Sequence, residues 1–229
     1  MIDAQARRTS VLGALRGRAP GAASSDALPD RLRADVPRET IERLDQYIDL
    51  LLDENERQNL IARSTIDEVW RRHILDSAQI VRFAPRLDSS WLDIGSGAGL
   101  PGLVVAILTQ GPVTLVEPRK LRADFLQRAA ARLGLGERVT VHAAKVERIS
   151  GSFDVITARA VASFDALLRI SRHLSTDKTR WLFPKGKSAQ SELDEARRTW
   201  QGEFGLEPSL TNPEAAIIIA DHVERRGKR

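Results

Sequence analysis

A doubly wound α/β sheet of seven strands, mostly parallel and closed by a C-terminal antiparallel hairpin, is the fold class this 229-residue chain predicts. Three observations carry it. The strand end Trp91-Leu92-Asp93-Ile94 runs into glycines at alternate positions, Gly95, Gly97 and Gly99, and then into an apolar stretch over 100–108 that reads as a helix. From Trp91 onward, short apolar runs alternate with helical patterns, as in a sheet built from βα units. Near the end, the runs 204–210 and 215–220 are joined only by Thr211-Asn212-Pro213-Glu214, a turn too short for a crossover, so the two must pair antiparallel.

Taken in order, residues 1–30 are rich in Ala, Gly, Ser and Arg and are expected to form a mobile N-terminal arm, with a short helix over 3–15 as the alternative. Residues 31–86 are expected to form a helical cap. Its first helix spans 38–59, with Ile41, Leu44, Ile48, Leu51 and Leu52 on one face. A second starts at a capping box of Thr65 and Glu68 and places Ile66, Val69, Trp70, His73, Ile74 and Ser77 together. The sheet domain then covers 87–229. After the glycine-rich turn come a strand at 113–117 and a helix over 120–133 that buries Leu121, Phe125, Leu126 and Ala129. Further strands are expected at 138–142, 153–157 and 180–183, with helices at 163–173 and 188–200.

Hydrophobic content of 42% and charged content of 29% suit a soluble globular chain, and no apolar run nears the roughly 18 residues a membrane span needs. The N-terminus has no apolar core of a secretory signal, so a cytoplasmic location is expected. The absence of cysteine rules out disulfides, thiolate metal sites and cysteine nucleophiles, and fits a reducing compartment. A net charge of +4 carried mostly by arginine fits a nucleic-acid partner, and fits an arginine-rich codon bias equally well.

The glycines define the first chemical site. They let the backbone turn tightly and approach a ligand with no Cβ in the way, and the helix N-terminus beyond them is expected to offer free N–H groups to an anion. The spacing is GxGxG, because Leu100 stands where a dinucleotide fingerprint needs its third glycine. With Asp93 ahead of it, the string resembles the motif of S-adenosylmethionine (SAM) methyltransferases. Glu117, at the end of the second strand, is placed beside this loop, where a carboxylate accepts two hydrogen bonds from a ribose diol. Val146, flanked by Lys145 and Glu147, falls where an adenine would rest in such a fold. Five βα units capped by an antiparallel hairpin match the class I SAM-dependent methyltransferase layout.

The end of the fourth strand narrows the acceptor. Its stretch Thr157-Ala158-Arg159-Ala160 lacks the Asn/Asp-Pro-Pro-aromatic run of enzymes that methylate exocyclic amines, and carbon-5 methylation of pyrimidines needs a cysteine. The remaining acceptors are already nucleophilic, such as guanine N7; such a transfer needs alignment and charge control rather than a base. Arg159 and Lys185 suit that task, as holders of a phosphate or of the base's O6. His73, Asp76 and Ser77 share one helical turn, which excludes the relay of a hydrolase triad; without further ligands nearby no metal is expected. They either fix the cap to the sheet domain or line the substrate cleft.

Asn59-Leu60-Ile61, Arg72-His73-Ile74-Leu75-Asp76-Ser77, the run from Asp93 to Gly102, Thr157-Ala158-Arg159-Ala160-Val161-Ala162 and Pro184-Lys185-Gly186-Lys187 together resemble the bacterial ribosomal RNA small subunit methyltransferase G (glucose-inhibited division protein B) family over about 38–221. The resemblance implies a SAM-dependent enzyme that methylates N7 of a guanine in a 16S rRNA loop. The expected partner is 16S rRNA, as free RNA or in an assembling small subunit, and the expected state is a monomer. The resemblance also implies SAM contacts at Gly95, Leu100, Val146, Glu147 and Arg159. Val146 departs from the alanine more frequent in the family, and the first 30 or so residues show no clear match. The full expected set adds Gly97, Gly99 and Glu117 for the cofactor, Arg159 and Lys185 as catalytic positioning groups, and Asn59, Arg72, His73, Asp76, Ser77 and Lys185 for the substrate. A methyltransferase for small molecules or proteins, or an RNA-binding module without catalysis, are the alternatives; Leu100 counts against a nicotinamide-dependent reductase.

Overall fold

The computed structural model describes residues 37–227; the expected arm over 1–30, its alternative helix, and the start of the cap lie outside the described residues. Helix α1 (Arg38–Gln58) leads into strand β1 (Trp91–Ile94) through a set of tight turns. The sheet then continues as α2 (Gly102–Leu108), β2 (Val113–Val116), α3 (Lys120–Arg132), β3 (Val139–His142), β4 (Val155–Ala158), α4 (Phe164–Ser171), β5 (Arg180–Lys185), α5 (Ala189–Thr199), β6 (Trp200–Pro208) and β7 (Ala216–Arg225). Seven strands form one sheet in the order β3-β2-β1-β4-β5-β7-β6. The first five are parallel, and β7 inserts antiparallel between β5 and β6. Strand order therefore reverses between β1 and β4, and their carboxyl ends frame the crevice where open α/β sheets bind ligands.

Period-two alternation explains why both faces are covered. Trp91, Val113, Leu115, Val155, Leu182 and Ile217 bury against α2, α3 and the cap in one core. Leu92, Ile94, Val116, Ile156, Ala158, Trp181, Phe183 and Ile218 bury against α4, α5 and the 146–149 turn in the other. The cap thus shares its core with the sheet: Leu44, Tyr47, Ile48 and Leu51 of α1 are fully buried in the first cluster. Tyr47 also donates its hydroxyl to Ala98 O at 2.8 Å, pinning the glycine loop from the cap side. Burial pushes that hydroxyl's pKa up, so it stays a donor at any ordinary pH.

Four local expectations change. The second cap helix is not one regular α-helix: a 3-10 turn Arg63–Thr65, a π-helical stretch Trp70–Leu75, one α turn Asp76–Ala78 and a 3-10 helix Gln79–Phe83 take its place. No capping box forms, because the Thr65 hydroxyl donates to Ala62 O at 2.7 Å instead of accepting from the chain ahead. Leu121 is 70% exposed, since it lies on the first turn of α3 before that helix reaches the core. The hairpin strands are longer than their apolar cores, because Trp200 leaves α5 directly into β6 and donates its indole N–H to Asp165 at 2.9 Å.

Candidate active site

The loop after β1 is built by backbone geometry. Gly95, Gly97 and Gly99 have φ of +67°, +54° and +93°, a region where a side chain is strained. At Gly95 a Cβ would also meet Val161 at 2.6 Å, so the loop after β1 and the loop after β4 touch there. At Gly97 a Cβ would sit in ordinary contact with Gly95 O at 3.7 Å and the Arg122 guanidinium at 3.8 Å, so the positive φ rather than crowding calls for glycine there.

Glu117 holds the loop to the end of β2. Its Oε2 accepts from the Gly97 N–H at 3.0 Å and its Oε1 from the Arg119 N–H at 2.8 Å. The side chain is buried, yet each carboxylate oxygen keeps a further acceptor position. Asp93 does a parallel job on the other side, where Oδ2 accepts from the Gly102 N–H at 3.0 Å. Burial pushes the Asp93 carboxyl up to about 7, against the opposing pull of the Gly102 N–H and the Arg159 charge. This bond corrects the expectation of a free helix N-terminus: the first N–H of α2 is taken by Asp93, and the Leu103 N–H by Gly99 O at 2.8 Å. Leu100 and Val146 are buried, Val146 as part of the core under the 146–149 turn, while Glu147 is exposed.

Arg159, at the end of β4, joins this loop region to the cap. Its Nη1 donates to Asp76 Oδ2 at 3.1 Å and to Arg72 O at 3.3 Å, and its Nη2 lies 3.3 Å from His73 Nδ1. An arginine can only donate, so His73 Nδ1 accepts. The His73 Nε2–H therefore donates to Thr65 Oγ1, 2.8 Å away, and the Thr65 hydroxyl in turn donates to Ala62 O. Burial first, and then the charges of Arg159 and Arg72, pull the His73 pKa down to about 4, against Asp76. His73 is thus expected to be neutral at pH 7 as the Nε2–H tautomer, and 15N imidazole shifts measured against pH check this. Stability depends on pH accordingly. As pH falls from 6.5 toward 4, the unfolded chain takes up the proton first, so the fold loses stability over that window. A folded-state His73 titrating near 6.5 would contradict the network.

Asp76 is shared. While Oδ2 receives Arg159, Oδ1 accepts from the Thr211 hydroxyl at 2.8 Å and from Gln79 Nε2 at 2.9 Å. Gln79 also accepts from the Leu210 N–H at 2.8 Å, so the β6–β7 turn is fastened to the cap. These partners lie about 130 positions apart in the sequence, and no local pattern announces Gln79, Thr211 or Leu210. Between that turn, the cap and the ends of β4 and β5 lies a cavity of about 690 Å³, whose lining includes Arg71, Arg72, Asp76, Arg159, Lys185 and Glu192. Lys185 is mostly buried and bonded to Ala162 O and to Glu192 Oε2, the latter at 2.9 Å. Of the expected substrate residues, Arg72, Asp76 and Lys185 line this cavity, and His73 stands behind Arg159. Ser77 is fully buried, and Asn59 is the left-handed C-cap of α1, with φ of 50°; neither borders the cavity. Among the described residues, no cluster of His, Asp or Glu could hold a metal, and no helix is long and apolar enough to cross a membrane.

A parallel five-strand sheet with an inserted antiparallel hairpin, a glycine loop after β1 and an acid at the end of β2 define a class I SAM-dependent methyltransferase. Solved structures share the fold. A TehB-like SAM-dependent methyltransferase from Corynebacterium glutamicum aligns with a TM-score of 0.54 and 15% identity over 75% of this chain and 98% of its own. A ribosomal protein L11 methylase from Lactobacillus delbrueckii gives 0.54 and 14% over 68% and 79%. The chain belongs to the rRNA small subunit methyltransferase G family, whose model matches residues 40–213. Proteins named ribosomal RNA small subunit methyltransferase G from Rhizorhabdus wittichii and Zymomonas mobilis are 50% and 44% identical, over 84% and 85% of this chain and 90% and 91% of their own lengths.

Proposed function

We propose that this chain transfers a methyl group from SAM to N7 of a guanine in 16S ribosomal RNA, with Gly95, Gly97, Gly99, Leu100, Glu117, Val146, Glu147 and Arg159 forming the donor site. The observation that carries this reading is the position of Arg159. It lines the cavity and is fastened to the cap, and the loop it belongs to touches the glycine loop through Val161 and Gly95. Donor and acceptor sites therefore meet along the β1–β4 crevice. The residues there fit the donor. Glu117 keeps acceptor positions for a ribose diol, and buried Val146 gives an apolar seat for a purine. The bound donor supplies an electrophilic methyl on a sulfonium.

The cavity side chains then have only to orient the base. Guanine N7 attacks with a lone pair and loses no proton, which agrees with a His73 whose two nitrogens are both committed to holding Arg159 and Thr65. Arg71, Arg72 and Arg159 line the cavity and give it the cations that RNA phosphates need. N7 is closed to an enzyme in the deep groove of A-form RNA, so the target is a loop or an extruded base, presented by free rRNA or by an assembling subunit. The chain acts as a monomer in the cytoplasm under this proposal. Purified protein incubated with labelled SAM and 16S rRNA is expected to place label in 7-methylguanosine after nuclease digestion. Label in protein, in a metabolite pool or in another nucleoside would overturn the assignment, and no SAM binding at all would favour a module that has lost catalysis.

A further inference from the structure

Resting on the guanine-N7 reading, we propose that Glu192, with Lys185 beside it, is the element that reads the target base: Glu192 Oε1 accepts a hydrogen bond from the guanine N2 amine, and Lys185 donates to O6. Guanine presents an amine donor at C2 and an acceptor at O6 on that edge, and a carboxylate beside an ammonium complements both. Adenine has no donor at C2 and would leave the carboxylate unpaired.

Glu192 is built for this task rather than placed by chance. Its Oε2 accepts from the Phe164 N–H at 2.8 Å and from Lys185 at 2.9 Å, and its Oε1 accepts from the Ser188 hydroxyl at 2.7 Å. Three partners fix the carboxylate, and Oε1 retains an acceptor position. The side chain is 18% exposed and borders the cavity. Burial pushes its carboxyl up, but hydrogen bonds from Lys185 and Ser188 and the lysine's charge outweigh that and hold it below the usual range, so it is ionised. Lys185 gives two of its three protons to Ala162 O and Glu192 and keeps one for a ligand. The other acids on the cavity wall serve less well. Asp76 is consumed by Arg159, Thr211 and Gln79, and Glu68 is an exposed rim residue.

The strand order also sets the right orientation. Gly95 comes after β1, Arg159 comes after β4 and Lys185 ends β5, three neighbouring strands about 4.8 Å apart. A purine lying across these ends with N7 toward β1 turns its N1–N2 edge toward β5, where Glu192 waits. Methyl transfer moves the positive charge from the sulfonium to the purine, with no proton released in that step. The N2 amine becomes a stronger donor as this happens, so its bond to Glu192 tightens in the transition state and raises kcat as well as selectivity.

The test pairs a protein change with a substrate change. Glu192→Gln should lower kcat/KM on 16S rRNA by roughly 10- to 100-fold, in line with the loss of one charged hydrogen bond, while SAM affinity by calorimetry stays at the wild-type value. Wild-type protein given rRNA with inosine at the target, which lacks the N2 amine, should also slow, and E192Q should discriminate guanine from inosine less than wild type does. An unchanged guanine-to-inosine ratio in E192Q, or full turnover by that variant, overturns the assignment of Glu192. Absence of 7-methylguanosine in the wild-type reaction on unmodified rRNA would instead refute the underlying reading, so the two failures are distinct.

Discussion

Glu117→Ala should weaken SAM binding tenfold or more, measured by calorimetry. Two effects act together. In the proposed donor site the ribose loses a charged acceptor, and charged hydrogen bonds contribute about 1.5–3 kcal/mol each, against about 1.4 kcal/mol for each tenfold in affinity. The Gly97 and Arg119 N–H groups also lose their partner, so the loop that Glu117 braces is no longer held to β2. Glu117→Gln separates the two effects. It keeps one oxygen for the loop but sets an amide N–H where the carboxylate had a second acceptor, and should fall between alanine and wild type. Unchanged SAM affinity in the alanine variant would remove Glu117 from the donor site.

Arg159→Lys is the second large effect, with methyl transfer to rRNA expected to fall by about 100-fold or more, as misplacement of a reacting pair by about 1 Å can do. The guanidinium reaches Asp76, Arg72 O and His73 at once, and the planar fork sets those directions. A lysine keeps the charge but cannot span the three. Asp76 would then rotate about its remaining bonds to Thr211 and Gln79, and the cap would lose its tie to the end of β4. Initial rates on rRNA, with SAM affinity measured separately, check this. Wild-type turnover in Arg159→Lys would mean that charge alone suffices there and that the fork has no role.

The sheet was legible because its signals are local. Alternating apolar positions in Trp91–Ile94 and Val113–Val116, the glycine spacing at 95, 97 and 99, and the short turn before residue 215 each state their geometry within a few residues. The site was legible only in part. Arg159 and Asp76 stand out in their own motifs, yet their contact joins positions 83 apart, and spacing alone leaves open whether Asp76 packs the cap or lines a cleft. In the structure Asp76 borders the cavity and anchors Arg159. Tyr47, Gln79, Thr211 and Glu192 carry no local signal, because each makes a bond to a residue of a distant element. The π-helical stretch Trp70–Leu75 departs from the simple 3.6-residue pattern where Thr65, His73 and Arg159 draw that segment into one network. A helical period read along the sequence cannot register such a demand.

Mapping 7-methylguanosine across small-subunit rRNA from cells with and without this gene tests the central claim most directly. One modified guanine should be present with the gene, absent without it, and restored by the wild-type chain but not by Arg159→Lys. A 7-methylguanosine pattern that is the same in both strains would contradict the claim.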